Sequence, residues 1–250
     1  MTDPTIWNQL LIWPILNALM AFYKAFELVH VPGAFGFAII ALTLLINTLL
    51  FPLKRKQLES TQKLQSLKPQ LDELSKKHKD DKVKLQQAQM ELYKTAGVNP
   101  AGGCLPLLVQ IPLFIALYNV FNTVLNGDAG FAERINTVLY HPALHITTLD
   151  LSFFGINLTT KPSEWQSVGV WLLLIPVVTA GLQYLQTKLM LPPAPKQKTE
   201  GDQMADMQRQ MAIVTPIMFG YFAYSFPIGL AIYWNTFTLF GIIQQRQTKK

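Results

Sequence analysis

The stretch LLINTLLFPLKRKQLEST, residues 44–61, decides how this chain is read. An apolar run carrying one lone amide, Asn47, ends abruptly in three cations, Lys54, Arg55 and Lys56. From Val31 to Leu53 there is no Lys, Arg, Asp or Glu, and then charge arrives all at once. A helix on a soluble protein spreads charge along its outer face, so this pattern is that of a membrane edge.

Composition points the same way. Of 250 residues, 50% are hydrophobic and only 14% charged, where soluble domains carry about 25% charged residues. A segment of roughly 20 uncharged residues can cross a hydrocarbon layer ~30 Å thick. Five stretches are candidates: Phe35 to Leu53, Ala101 to Leu125, Val168 to Thr187, Met211 to Phe226, and Ile228 to Ile243. Only Pro227 separates the last two, which predicts a tight helical hairpin there. A soluble bundle would need polar outer faces that these stretches lack. The single cysteine, Cys104, excludes an internal disulfide and a cysteine-rich metal site.

Sorting the cations orients the spans, because short cytoplasmic loops are enriched in Lys and Arg. If the first span exits at Lys54, one side receives 18 of the 21 Lys and Arg residues, and the other keeps Lys24, Arg134 and Lys161. The amino terminus is then outside and the carboxyl terminus cytoplasmic. The resulting division is an outer tail and interfacial helix (1–32), span 1 (33–53), a cytoplasmic helical hairpin (54–100), span 2 (101–125), an outer loop (126–167), span 3 (168–190), a cytoplasmic loop (191–210), span 4 (211–226), span 5 (228–243) and a cytoplasmic tail (244–250). Residues 5–30 are apolar enough to suggest a sixth span. Asn17, Lys24 and Glu27, with Met20 or Ala21, recur at three- and four-residue steps, a narrow polar stripe that suits a helix lying on the outer membrane surface. Asp3 and the lack of an early Lys or Arg argue against a cleaved signal peptide.

The hairpin has its own periodicity. Leu64, Leu67, Leu71 and Leu74 form one apolar seam, HKDDK (78–82) breaks it, and Leu85, Gln89, Leu92 and Ala96 resume a weaker one. Two antiparallel helices follow, with Pro69 kinking or restarting the first, and Gly97, Asn99, Pro100, Gly102 and Gly103 ending the second. Eleven cations against six anions give the hairpin a positive surface, with Lys54, Arg55, Lys56, Lys76 and Lys77 as candidate recruiting residues for anionic headgroups or RNA. A merely solvated, positive loop is the plainer reading of any one of them.

Polar side chains inside a span are costly unless partnered or wet. Thr43 and Asn47 share a face of span 1, Gln110, Tyr118 and Asn122 one side of span 2, Thr179, Gln183 and Gln186 a line on span 3, and Asn235 and Thr238 another on span 5. A shared hydrophilic pocket and separate hydrogen bonds between neighbouring helices are both open on spacing alone. His141 and His145 are four apart but Pro142 interrupts them, so no metal site is expected. No Gly-rich phosphate loop is present, and no cofactor is expected.

The order of a span ending FPLKRKQLEST, a basic hairpin, LYKTAGVNPAGGCLPLLVQIPLFIALY, two further membrane regions and FPIGLAIYWNTFTLFGIIQQ resembles the YidC, Oxa and Alb family of membrane-protein insertases. The resemblance covers residues 20–247. It implies an all-α integral membrane fold: a five-transmembrane-helix insertase core with a cytoplasmic helical hairpin and an outer interfacial amphipathic helix. It further implies a bacterial plasma (inner) membrane location, a non-enzymatic role, and a hydrophilic groove open to cytoplasm and lipid. Candidate groove residues are Thr43, Asn47, Gln110, Tyr118, Asn122, Gln183 and Asn235. Implied partners are nascent membrane proteins and lipids, with the Sec translocon and the ribosome as further candidates, and the working unit is a monomer. The large extracytoplasmic domain of some members and the long basic tail of others are not seen here. Much of the family carries a cation where this chain has Asn47, and the amide leads to an expectation of an uncharged groove, weakly dependent on acidic substrate residues. Transporter or channel, and membrane-anchored scaffold, are the alternative readings. The first should show an internal inverted repeat or intramembrane ionisable pairs, and neither occurs.

Overall fold

A computed structural model describes residues 2–78, 81–97, 105–125, 130–190 and 203–248. A wide helical turn at Asn8–Ile12 leads into α1 (Trp13–Leu28), followed by α2 (Ala34–Leu49), α3 (Phe51–Ser66), α4 (Lys68–Lys77), α5 (Lys82–Thr95), α6 (Leu105–Leu125) and α7 (Phe131–Asn136). Strands β1 (Ser152–Phe153) and β2 (Ile156–Asn157) come next, then α8 (Trp165–Val168), α9 (Leu174–Met190), α10 (Gln203–Ser225) and α11 (Ile228–Thr248). The fold is helical apart from that two-stranded antiparallel pair, with Ser152 opposite Asn157 and Phe153 opposite Ile156. The all-helical expectation is corrected to this extent. The strands were not legible because each is only two residues long.

Helices α2 and α3 are nearly one rod. Leu50 interrupts them with ψ of −4°, yet its carbonyl accepts the Lys54 N–H at 3.0 Å and its N–H donates to Ile46 at 2.9 Å. Pro52 sits in the first turn of α3, where its missing N–H has no intrahelical partner to lose. Pro69 does the same at the start of α4, so the hairpin helix restarts rather than kinks. Asp81 caps α5 by accepting the Lys84 N–H at 3.1 Å, and that bond and the Lys84 ammonium hold its carboxyl below the usual carboxylate range. Gly97 adopts φ of 64° just past α5, the left-handed stop that glycine tolerates. In the hairpin, Leu85 and Tyr93 are the buried side chains of α5, while Ala96 is exposed. Asn99, Pro100, Gly102, Gly103 and Cys104 lie outside the described residues.

On the side of the bundle away from the hairpin, α1 packs along α2 and donates Leu16, Leu19, Met20 and Tyr23 to the main core, with Phe35, Ile39 and Leu42 of α2 and Leu117, Val120 and Phe121 of α6. Asn17 does not belong to a surface stripe, as its spacing suggested. It is buried, donates to the carbonyls of Trp13 (2.9 Å) and Val138 (3.1 Å), and accepts the Tyr140 N–H at 2.7 Å. The loop after α7 covers the first half of α1 and turns that part of the stripe inward. Beyond it, Lys24 and Glu27 reach solvent and pair at 2.8 Å. The same loop caps α11, whose first N–H groups, of Ile228 and Gly229, donate to the carbonyls of Thr160 (2.9 Å) and Leu158 (3.0 Å). Phe153 lies across the start of α2, where a side chain on Gly33 or Gly36 would collide with its ring.

The outer surface is unusually apolar, and a few polar groups are enclosed within a mainly apolar interior. Val177 and Val178 of α9, and Ile213, Val214 and Ile217 of α10, are all at least half exposed, whereas Thr43, Asn47, Thr179, Gln186, Thr238 and Gln245 are buried. Apolar faces outward and polar groups inward suit a hydrocarbon surround. Two described helical stretches, Asn8–Leu28 and Val170–Leu189, are long and apolar enough to cross a membrane, with Ala34–Leu49 and Ile111–Val124 as shorter apolar helices. The turn at Pro227 is tight, and α10 and α11 meet through Phe219 and Trp234, ring centroids 3.8 Å apart.

Replacing Asn17 by Ala leaves the Tyr140 N–H and the Val138 carbonyl without their partner. Stability should fall by roughly 1–2 kcal/mol, read as a lower midpoint in thermal unfolding of detergent-solubilised protein, with faster proteolysis of the 136–150 loop.

Candidate functional site

The polar seam begins on α2. Thr43 and Asn47 are four residues apart on the face turned to α11, and both are fully enclosed. The Thr43 hydroxyl donates to the Ile39 carbonyl at 2.6 Å, and the Asn47 Nδ2 donates to the Thr43 carbonyl at 2.8 Å. These bonds leave Asn47 Oδ1 as the acceptor facing outward from the helix. It receives the ammonium of Lys54. Seven residues are two helical turns, so the near-continuous α2–α3 rod places both side chains on one face.

Lys54 therefore does not stand with its neighbours at the edge. Its Nζ lies 3.9 Å from the centroid of the Phe237 ring on α11, a cation–π contact, while Arg55 and Lys56 are exposed and Arg55 pairs with Glu59 at 3.1 Å. Lys76 and Lys77 are likewise exposed, in the last turn of α4. Of the five cations read as hairpin recruiting residues, four are displayed and Lys54 is turned inward. The expectation of an uncharged seam is corrected by the same observation, since the apolar stem of a lysine can run back along its own helix and carry the charge with it.

Helix α11 lines the other side of the seam. Thr238 and Gln245 are seven residues apart on one face and Asn235 lies one turn before Thr238. Thr238 Oγ1, Asn235 Oδ1 and both amide atoms of Gln245 are buried without a protein partner among the described residues. Four orphaned polar atoms on one helix face mark a place where water or a polar visitor supplies the missing hydrogen bonds. Gln186 of α9 presses against α11 at Gly241, where a side chain would overlap its amide nitrogen. Thr179, also on α9, satisfies its hydroxyl on the Ile175 carbonyl at 2.9 Å.

The other predicted groove residues are distributed differently. Tyr118 is half-buried in an aromatic cluster, 5.5 Å from Phe226 and 6.4 Å from Phe114 by ring centroids. Asn122, one turn further along α6, is exposed. Gln183 is half-buried on α9, and the Gln110 side chain lies outside the described residues. Between α9, α10 and α11 there is a hollow of ≈ 10 Å³ walled by Phe219, Phe222, Phe226 and Trp234, with Thr179 its one hydroxyl; it has room for about one water and little to hold it. His141, in the loop after α7, uses its ring to accept the Ala143 N–H at 3.1 Å, a capping role. The sequence reading did not find Phe237, the buried Gln245 or the inward turn of Lys54. The 47-to-54 interval carried the last signal, hidden by grouping Lys54 with the two cations that follow.

With this geometry in hand, comparison with known proteins decides the family. The family described as 60Kd inner membrane protein matches residues 25–250. The chain belongs to this family, the YidC/Oxa/Alb family of membrane proteins. It is 37% identical over 235 residues to the membrane protein insertase YidC of Granulibacter bethesdensis, covering 91% of this chain and 38% of that one. It is 31% identical over 244 residues to the chloroplastic inner membrane ALBINO3-like protein 1 of Chlamydomonas reinhardtii, covering 94% and 48%. It also resembles a solved structure, an active YidC insertase crystal structure with the first transmembrane domain resolved, with a TM-score of 0.60 and 26% identity over 96% of this chain and 46% of that chain. The chain thus spans between 38% and 48% of the length of these relatives.

If Asn47 Oδ1 anchors the Lys54 ammonium, Asn47→Leu removes the anchor and lets the lysine stem extend to the aqueous edge. Amine-specific labelling of Lys54 should rise several-fold in the variant, with Lys56 unchanged as the internal reference.

Proposed function

We propose that the chain is the core of a membrane-protein insertase. The observation that carries this reading is an apolar outer surface around enclosed polar groups: α9 and α10 present apolar side chains outward, and a polar seam with four buried atoms that have no protein partner among the described residues runs along α11 inside. A polar chain segment crossing hydrocarbon loses several kcal/mol for each group that sheds water without a partner. A seam whose own donors and acceptors are unsatisfied offers such a segment hydrogen bonds within the membrane. The substrate's apolar helix then leaves sideways into lipid, driven by burial of ~20 apolar residues. The relatives named as YidC insertases support the same reading.

In this reading five spans cross a bacterial inner membrane with the amino terminus outside and the carboxyl terminus inside. The hairpin α3–α5 stands in the cytoplasm, where 18 of 21 Lys and Arg residues gather. Helix α1 lies at the outer surface, fastened by Asn17. Nascent membrane proteins and lipids are its partners. The exposed Arg55, Lys56, Lys76 and Lys77 are placed to meet anionic headgroups, a ribosome or a Sec partner. The reaction moves a chain without making or breaking covalent bonds, so no catalytic residue is assigned.

The test is insertion of a newly synthesised single-span protein into vesicles with and without the purified chain, read by protease protection of the translocated tail. Protection should require the chain, and photocrosslinks to the tail should form from Asn235 and Gln183 but not from Val177. Deleting residues 60–94 should lower the yield without abolishing it. An ion flux through the same vesicles, with no protection, would point to a channel instead.

A further inference from the structure

The turn between β1 and β2 holds an unexpected residue. Phe153 pairs with Ile156, which leaves Phe154 and Gly155 as a two-residue loop, and both stand at positive φ, 51° and 80°. Such loops favour Asn-Gly or Asp-Gly, because short polar side chains tolerate the left-handed region; a bulky aromatic ring there is strained. Packing inside the molecule offsets little of that strain. The neighbouring Phe153 already covers Gly33 and Gly36, while Phe154 is 73% exposed and meets only the edges of Phe37 and Phe153, with ring centroids 6.1 and 4.7 Å away. A strained ring turned outward directs attention to what it meets outside the molecule.

The surroundings fit lipid. Phe37 opens the outward stripe of α2, which continues at helical steps through Ala41, Leu44 and Leu45, away from the face of Thr43 and Asn47. Phe154 therefore extends by one ring the apolar surface that α2 turns to hydrocarbon in the membrane-spanning reading. On the other side of Phe37 lies Phe26, 6.0 Å away, and just past it Leu28 and Val29 are also exposed. No residue from Leu151 to Thr160 is charged. A patch continuous with a lipid-facing stripe, on a loop without charge, matches the acyl region of a leaflet, where interfacial segments bury Phe and Leu.

We propose that the β1–β2 tip is a leaflet anchor: Phe154 inserts among the acyl chains of the leaflet in which α2 begins, the outer one in the orientation proposed above. The anchor acts on both helices of the central contact. Phe153 lies across the start of α2, and Leu158 and Thr160 supply carbonyls to the first turn of α11, so a tip held in lipid fixes the depth at which both helices start. The proposal requires the chain to span a membrane and is independent of what the chain inserts.

The test is spin labelling of the full chain in vesicles of phosphatidylcholine and phosphatidylglycerol. A nitroxide is attached at Ser152→Cys, an exposed position beside the tip, with Cys104→Ser removing the native thiol. Its relaxation by oxygen, which concentrates in lipid, is compared with its relaxation by a water-soluble nickel chelate. Oxygen should dominate. Phe154→Asn, which suits the turn better, should lower the oxygen-to-nickel ratio roughly ten-fold, and Phe154→Leu should keep most of it. Amide exchange of Leu158, whose N–H donates to the Leu151 carbonyl at 2.9 Å, should stay slow in both variants. Dominance of nickel with Phe154 in place, or a ratio unchanged by Phe154→Asn, overturns the proposal. So does fast exchange of Leu158 in Phe154→Asn, which would make the ring a structural part of the hairpin. A label shielded from both reagents in native membranes but open to nickel in pure lipid would make the occupant a protein and overturn it as well. No substrate is inserted in this measurement, so failure of the anchor leaves the insertase reading standing.

Discussion

The contact between α2 and α11 governs the rest of the molecule. It is where an apolar bundle admits polar groups, and each of those groups must find a partner in a medium that offers none. On α2 the problem is solved locally: Thr43 and Asn47 turn their donors back onto the carbonyls four residues earlier. A hydroxyl facing outward on the same helix is handled the same way, with Thr48 donating to the Leu44 carbonyl at 2.8 Å. On α11 it is not solved in this way, and Asn235, Thr238 and Gln245 keep atoms without a partner among the described residues. The asymmetry matters. A seam satisfied on both sides would be a structural joint, whereas one satisfied on a single side keeps hydrogen-bonding capacity in reserve.

Around this contact, the loop between α7 and α9 does the positioning. It supplies carbonyls to the first turn of α11 and ties α1 to the bundle through Asn17, and it lays Phe153 across glycines at the start of α2. The first turns of α2 and α11 are thereby held in place by backbone hydrogen bonds and close packing. Toward the other end, the Lys54 ammonium lies over Phe237, a contact that a side chain can give up more readily. A bundle fastened firmly at one end and by a displaceable side chain at the other is biased to yield at the softer end. That is the end from which a newly made chain approaches in the proposed orientation.

Much of this was legible in the residues. Long charge-free stretches and the sudden cluster after Leu53 gave the membrane character, because charge is costly in lipid and cheap at its edge. Helical spacing gave the polar faces of α2 and α11 and the restart at Pro69. What could not be read were choices made by tertiary packing. Asn17 has the spacing of a surface stripe, yet a loop more than a hundred residues away covers it. Asn122 follows Tyr118 by one turn, but Tyr118 is drawn into the rings of Phe114 and Phe226 while Asn122 faces out. A four-residue step fixes a shared side of a helix only to within tens of degrees, and the neighbour decides which part of that side is covered.

Lys54 shows why charge in a sequence is a weaker guide to depth than it first looks. A lysine's Cα marks where the backbone crosses the membrane edge, but its four-carbon stem lets the ammonium lie well over 5 Å from that level in either direction. At helix ends the stem ordinarily extends outward to water. Here two features reverse it. A hydrogen-bond acceptor lies two turns back on the same face, and an aromatic ring on the neighbouring helix covers the intervening space. Neither is strong alone, since an amide oxygen and a quadrupole each recover only part of the lost hydration. Together they hold the ammonium inward, with no counter-ion beside it among the described residues.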